Sequence, residues 1–271
     1  MKAFTGLAIA ALSLSLAACN SSEEAAKPSG TPIAAVPAPA GTTWSATVNE
    51  TPDGNFVMGN PDAKLKLVEY GSFTCSHCAE FAETASPEIR KLVDTGKMNY
   101  EFRTYVRDPI DLTTALLARC GGKDVFYPLS EQFFANQGAM FEKVQDNDDA
   151  FKGVEQLSPA QRPVAIAQIA GLIDFAKQRG ISEDQAKQCL ADTATAEKLA
   201  KGVEAANNQY QITGTPSFLI NGVLVDNAAN WASLEPNLKE AGLRLRGGGL
   251  TSPPERRKAG AARCPGLPPC R

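Results

Sequence analysis

Glu69-Tyr70-Gly71-Ser72-Phe73-Thr74-Cys75-Ser76-His77-Cys78 is the stretch that decides the fold. It stands where one hydrophobic period gives way to another. Before it, Leu65, Leu67 and Val68 begin in alternation and then turn continuously apolar, as a central strand does. After it, Phe81, Ala82 and Ala85 keep helical spacing. Two cysteines separated by two residues at the start of a helix form a redox couple. The helix dipole and the unpaired N–H groups of the first turn favour a thiolate at Cys75. A stable thiolate makes the corresponding disulfide a good oxidant, because reduction is drawn forward by the anion it produces.

Working outward, Asn60-Pro61-Asp62 reads as the turn ahead of this strand. The helix after the cysteines is expected to reach about Asp94 and stop at Gly96, with Pro87 kinking or dividing it. Residues 98–106 read as a second strand with Tyr100, Phe102, Thr104 and Val106 on one face. Near the far end, residues 217–220, then Asn221-Gly222, then residues 223–225 form a hairpin signal, and residues 231–243 an amphipathic helix. Between these halves the pattern is helical. Residues 111–118 and 130–141 are expected helices, Ile166, Ile169, Ala170 and Ile173 keep helical spacing, and Ser182 with Gln185 makes a capping box.

The ends differ from the middle. Residues 1–18 read as a bacterial lipoprotein signal peptide: Lys2 supplies the charge, residues 4–16 are apolar, and Leu16-Ala17-Ala18-Cys19 resembles a lipobox. That run is too short for a membrane-spanning helix. Cleavage before Cys19 and lipidation of its thiol are expected, with ordinary secretion as the alternative. Residues 19–43, rich in Ser, Glu, Ala, Pro and Gly, are expected to form a disordered tether. Residues 244–271 form a basic, Gly- and Pro-rich tail carrying seven Lys and Arg against Glu255, with no assigned function. The chain's net charge is −3, and removing Lys2 and this tail leaves −10 over residues 19–243. An acidic body excludes a nucleic-acid footprint.

Seven cysteines divide by context. Cys75 and Cys78 are the couple, Cys19 the lipid anchor, and Cys264 and Cys270 lie in the tail. In an exported protein Cys120 and Cys189 are read as a structural disulfide, the alternative being two buried thiols. Zinc is not expected: a closed site takes four ligands, and the chain has neither a second close cysteine pair in its body nor a histidine besides His77. No cofactor is expected. A Cys–His–carboxylate hydrolase is disfavoured because His77 lies only two residues from Cys75.

The segment 69–78 resembles the active-site stretch of DsbA-like thiol:disulfide oxidoreductases, and Gly214-Thr215-Pro216-Ser217-Phe218 resembles their cis-proline loop. The resemblance covers roughly residues 44–243. It implies an α/β chain, a thioredoxin fold interrupted by an all-helical insertion. The expected divisions are 44–111 for the first part of the thioredoxin-like domain, 112–208 for the insertion and 209–243 for the second part. Ser76 departs from the proline found in many relatives, which bears on the size of the redox poise rather than on the reaction.

Beside this resemblance stand the individual residues. Cys75 is the expected nucleophile and Cys78 the resolving thiol one turn further in. His77 is expected to lower the Cys75 pKa if its ring donates toward the sulfur; otherwise it is a solvent-facing helix residue. Glu69, six residues before Cys75, is either a half-buried proton shuttle for Cys78, as the resemblance implies, or a solvent-face acid. The resemblance implies a cis bond before Pro216, exposing backbone groups of Thr215 to an extended substrate. The expected partners are reduced secreted proteins, a membrane partner that re-oxidises the couple, and the membrane itself through Cys19, with the protein monomeric in the bacterial periplasm. A reductase or isomerase of the same fold, and a tethered binding module in which the couple is only a staple, are the rival readings.

Overall fold

The computed structural model describes residues 30–243. The expected signal peptide, Cys19, the first part of the tether and the whole basic tail lie outside the described residues.

Six strands form one sheet in the order β1-β2-β4-β3-β5-β6. They are β1 (Val48–Glu50), β2 (Phe56–Gly59), β3 (Leu65–Gly71), β4 (Met98–Thr104), β5 (Ser217–Ile220) and β6 (Val223–Leu224). β3 is central and buried along nearly its whole length. It pairs in parallel with β4 and antiparallel with β5, so Glu69 lies between Phe102 and Phe218. A parallel neighbour requires a crossover, and α1 (Ser76–Asp94) supplies it. The β5–β6 hairpin turns on Asn221-Gly222, both at positive φ as a tight two-residue turn demands.

Strand alternation sorts the two faces of the sheet. Leu65, Leu67 and Phe218 join the main core under α1, where the rings of Phe81 and Phe218 sit 4.7 Å apart. Val68, Tyr70 and Leu219 point the other way and pack on Ala206 of α9 (Thr193–Tyr210) and on Ile212.

The insertion is helical: α2 (Pro109–Arg119), α3 (Lys123–Ala135), α4 (Gln137–Asp146), α5 (Asp148–Gly153), α6 (Arg162–Ile169), α7 (Leu172–Lys177) and α8 (Glu183–Leu190) precede α9. Cys120, just past α2, and Cys189 of α8 form a disulfide with Cα atoms 5.6 Å apart. The last helix of the described residues is α10 (Trp231–Glu240), opened by a capping box of Asn230 and Ser233. Among the described residues no helix is long and apolar enough to cross a membrane.

Three expectations need revision. Residues 30–43 do not hang free as a tether. The Val36 N–H donates to the Thr95 carbonyl, the Val36 carbonyl accepts from Trp44 Nε1 at 2.7 Å, and the Ile33 N–H donates to the Gly242 carbonyl. These bonds, with Ile33 and Ala38 packed on the core, hold a strap that its composition does not announce. The helix expected over 130–141 is two helices meeting at Asn136. α1 is not divided at Pro87, which lies on its exposed face. β1 and β2 add an antiparallel pair that the sequence reading did not contain.

Candidate active site

The strand-to-helix corner begins at Gly71. A Cβ there would lie 2.5 Å from the Phe102 ring and 3.0 Å from Glu69 Oε1, so only glycine lets the chain turn this close above the buried acid. Phe73 follows, fully buried, and plugs the corner into the insertion by stacking on Phe134 with ring centroids 4.8 Å apart.

Hydrogen bonds from the insertion grip the same corner. Asp111 is fully buried in the first turn of α2; its Oδ1 accepts the Phe73 N–H at 2.8 Å and its Oδ2 the Arg107 N–H at 3.0 Å. Asp108 caps α2 through the Asp111 N–H and accepts from Thr74 Oγ1 at 2.5 Å. Gln137 Nε2 donates to the carbonyls of Phe73 and Cys75 at 2.8 and 3.1 Å. Burial pushes the Asp111 carboxyl up to about 7 against the bonds that favour its charge. Sequence reasoning missed Asp108, Asp111 and Gln137. Asp108 carried one local signal, an N-cap residue followed by proline at the first helical position.

Cys75 is the N-cap residue of α1 and makes no cap bond with its side chain. Its sulfur lies 3.2 Å from the Thr215 carbonyl oxygen. Cys75 is 4 % exposed and Cys78 fully buried; both are free thiols. The Cys75 thiol is held down to about 5, first by the Cys78 S–H, then by the Thr215 side chain and by the backbone N–H groups of Cys78 and His77, against the opposing effect of burial. Cys78 is pushed far above the ordinary thiol range, because its hydrogen is engaged by Cys75, because it is buried, and because Glu69 lies nearby. The dipole argument made on the sequence thus has named donors.

Glu69 is 2 % exposed, and Tyr100 donates to its Oε2 at 2.6 Å. Burial raises its carboxyl to about 8, the Tyr100 bond partly opposing and the Cys75 charge adding. It sits on the α1 side of the sheet, at the depth of the couple, and not on the solvent face.

His77 stands apart from this group. Its side chain is 74 % exposed and turns along α1, with Nδ1 4.0 Å from Glu80 Oε2. What His77 brings to Cys75 is its backbone N–H. The first turn of a helix aims its N–H groups at the capping residue while side chains splay outward, so the ring expected to aid the sulfur faces solvent.

The Thr215–Pro216 bond is cis. Among the described residues no hydrogen bond uses the Thr215 N–H, and Thr215 Oγ1 is buried without a partner at hydrogen-bond geometry. Its influence on Cys75 is therefore that of a close dipole rather than of a formed bond.

The family model described as Thioredoxin matches residues 51–240. A Rickettsia bellii protein provisionally named a protein-disulfide oxidoreductase is 30 % identical over 65 % of this chain, which spans 60 % of that protein's length. The crystal structure of a protein-disulfide isomerase from Novosphingobium aromaticivorans superposes with a TM-score of 0.65 at 37 % identity, covering 70 % of this chain and 97 % of that one. Wolbachia pipientis α-DsbA1 gives a TM-score of 0.56 at 22 % identity, covering 74 % of this chain and 96 % of that one, a likeness of fold. The chain belongs to the thioredoxin family and carries the DsbA-type form of its fold, a thioredoxin-like sheet with a helical insertion.

Proposed function

We propose that this protein is an exported thiol:disulfide oxidoreductase that donates a Cys75–Cys78 disulfide to folding secreted proteins. The observation that carries the reading is the asymmetry of the couple: one sulfur is stabilised as an anion at the mouth of a helix, and the other is held as a buried thiol.

A substrate thiolate attacks Cys75 Sγ, and the Cys75–Cys78 bond breaks. Cys78 leaves as a thiolate and takes a proton, which Glu69, protonated at neutral pH, supplies. A second substrate thiolate then attacks the substrate sulfur of the mixed disulfide, and Cys75 leaves as a thiolate. The substrate loses two electrons; the couple gains two electrons and one proton. A membrane partner withdraws the electrons and restores the disulfide. The unused Thr215 N–H, beside Pro216, pairs with an extended substrate segment as an added strand would. His77, exposed beside Cys75, lines the approach. The Cys120–Cys189 bridge holds the insertion that grips the active-site corner.

The signal-like residues 1–18 and Cys19 support export to the periplasmic side of a bacterium, with a lipid anchor at Cys19 and the body acting as a monomer. Equilibration against glutathione tests the direction of electron flow. The expected potential lies well above the roughly −270 mV of a reducing thioredoxin, and a value at or below it would reverse the assignment. A second reading, isomerase or reductase, is favoured by the 37 % identity to the Novosphingobium aromaticivorans protein-disulfide isomerase. Insulin reduction beside refolding of a scrambled substrate separates the directions.

A further inference from the structure

Two features of the chain match one another and have no part in the reaction above. One is the tail at 244–271, with seven cations against Glu255 and the cysteines Cys264 and Cys270. Four of the cations, Arg256, Arg257, Lys258 and Arg263, fall within the eight residues before Cys264. The other is a groove of about 530 Å³ between the exposed side of α1 and α3. Ala79, Ala82 and Phe134 give it an apolar lining, and its charged lining is wholly acidic: Glu80, Glu83 and Glu131. Alanines at 79 and 82, three apart on one helix face, leave the space open. Arg90 pairs with Glu131 at 2.6 Å. Among the described residues Glu80 and Glu83 form no ion pair with Lys or Arg, and Glu80 has only the His77 ring, at 4.0 Å. The groove opens one turn from Cys75, whose carbonyl accepts the Ala79 N–H.

The tail starts within reach of that groove. Leu243, the last described residue, is buried, and the Gly242 carbonyl beside it accepts the Ile33 N–H of the strap, which also bonds Thr95 at the C-terminal end of α1. From Thr95 back to Cys75 the helix rises about 30 Å. Cys264 stands 21 residues beyond Leu243, a contour of up to about 70 Å. A reactant on the same chain meets its partner at an effective concentration on the order of 1 mM. We propose that the tail is a substrate of the couple: its cations at 256–263 dock in the α1–α3 groove and present Cys264 to Cys75. This rests on the oxidase reading above and names one substrate for it. The Cys264 thiolate attacks Cys75 Sγ and the Cys75–Cys78 bond breaks, Cys78 leaving as a thiolate that takes its proton from Glu69. The Cys270 thiolate then attacks Cys264 Sγ, and Cys75 leaves as a thiolate. The tail loses two protons to solvent and two electrons to the couple, and a Cys264–Cys270 disulfide forms. Pro265-Gly266 between the two cysteines is a turn pair.

The test adds an equimolar amount of diamide to the reduced full chain without oxygen, quenches samples in acid, and maps the disulfides peptide by peptide by mass spectrometry. Cys75–Cys78 is expected to form first and to be replaced by Cys264–Cys270 at a rate independent of protein concentration. Cys75→Ser is expected to abolish the tail disulfide, and Glu80→Gln/Glu83→Gln to slow its formation about tenfold, as added salt does in the parent. A tail disulfide that forms as fast in Cys75→Ser, a rate that rises in proportion to protein concentration, or an unchanged rate in the double variant would overturn the proposal. A synthetic dithiol peptide added to the same oxidised protein separates it from the oxidase reading. A peptide oxidised while the tail stays reduced overturns the tail as substrate and leaves the oxidase standing; a peptide and a tail that both stay reduced overturn both.

Discussion

Tyr100 donates a 2.6 Å hydrogen bond to the buried carboxyl of Glu69, beneath the Cys75–Cys78 pair. The bond favours the charged acid and so restrains the rise that burial imposes, leaving Glu69 at about 8. An acid at that value holds its proton at neutral pH and can still release it. Glu69→Gln is expected to slow the step that protonates Cys78 by about a hundredfold, the low end of general acid–base effects. Tyr100→Phe keeps the acid but moves the pH at which it loses its proton upward. Stopped-flow traces of mixed-disulfide formation across pH measure both.

Stability should carry the same signature. The folded Glu69 pKa exceeds the unfolded value, so the folded state holds the extra proton, and stability falls as pH rises from about 4.5 to about 8. Glu69→Gln removes that loss. At pH 8 the reduced variant is expected to exceed the parent by up to about 4 kcal/mol, with the gap closing by pH 4.5. Denaturant unfolding at the two pH values checks the sign, and a gap that widens in acid would contradict it.

Asp111 reaches the couple through the backbone of Phe73 and the side chain of Ser72. Asp111→Asn leaves one acceptor oxygen for two N–H groups and turns an amide toward the other. A cost of about 1–3 kcal/mol is expected. The sharper readout is Cys78, now fully buried: its alkylation in the native protein should accelerate as the corner loosens, while Glu69 and the helix remain.

Thr215→Val removes the side-chain dipole that favours the Cys75 anion and leaves the facing carbonyl in place. The thiolate midpoint is expected to rise above about 5 and the reduction potential to fall. A midpoint that stays put would assign the whole effect to α1 and Cys78.

What the sequence disclosed and what it withheld follow from range. β3, α1 and the β5–β6 hairpin were legible because each is written in a local period or a turn pair, and the couple because its spacing and position are themselves the chemistry. The grip on the corner was not. Asp111 and Gln137 meet Phe73 from 38 and 64 residues away, and nothing in their own neighbourhoods marks a buried acid or amide. His77 illustrates the opposite failing: adjacency in the chain suggested contact, whereas a helix start sends the side chain out and only the N–H inward. The strap at 30–43 was invisible because backbone hydrogen bonds to distant residues and two isolated apolar contacts, Ile33 and Ala38, seat it rather than any periodic pattern.

The most direct test is the ionisation of Cys75 itself. Iodoacetamide labelling of the reduced protein, followed peptide by peptide by mass spectrometry to separate Cys75 from the other thiols, gives its rate as a function of pH. A half-maximal rate near pH 5 is predicted, with Cys78 unlabelled throughout. A Cys75 whose labelling rises only near the value of about 8.5 for a free thiol would contradict the account, for no stabilised anion would then draw the electrons in.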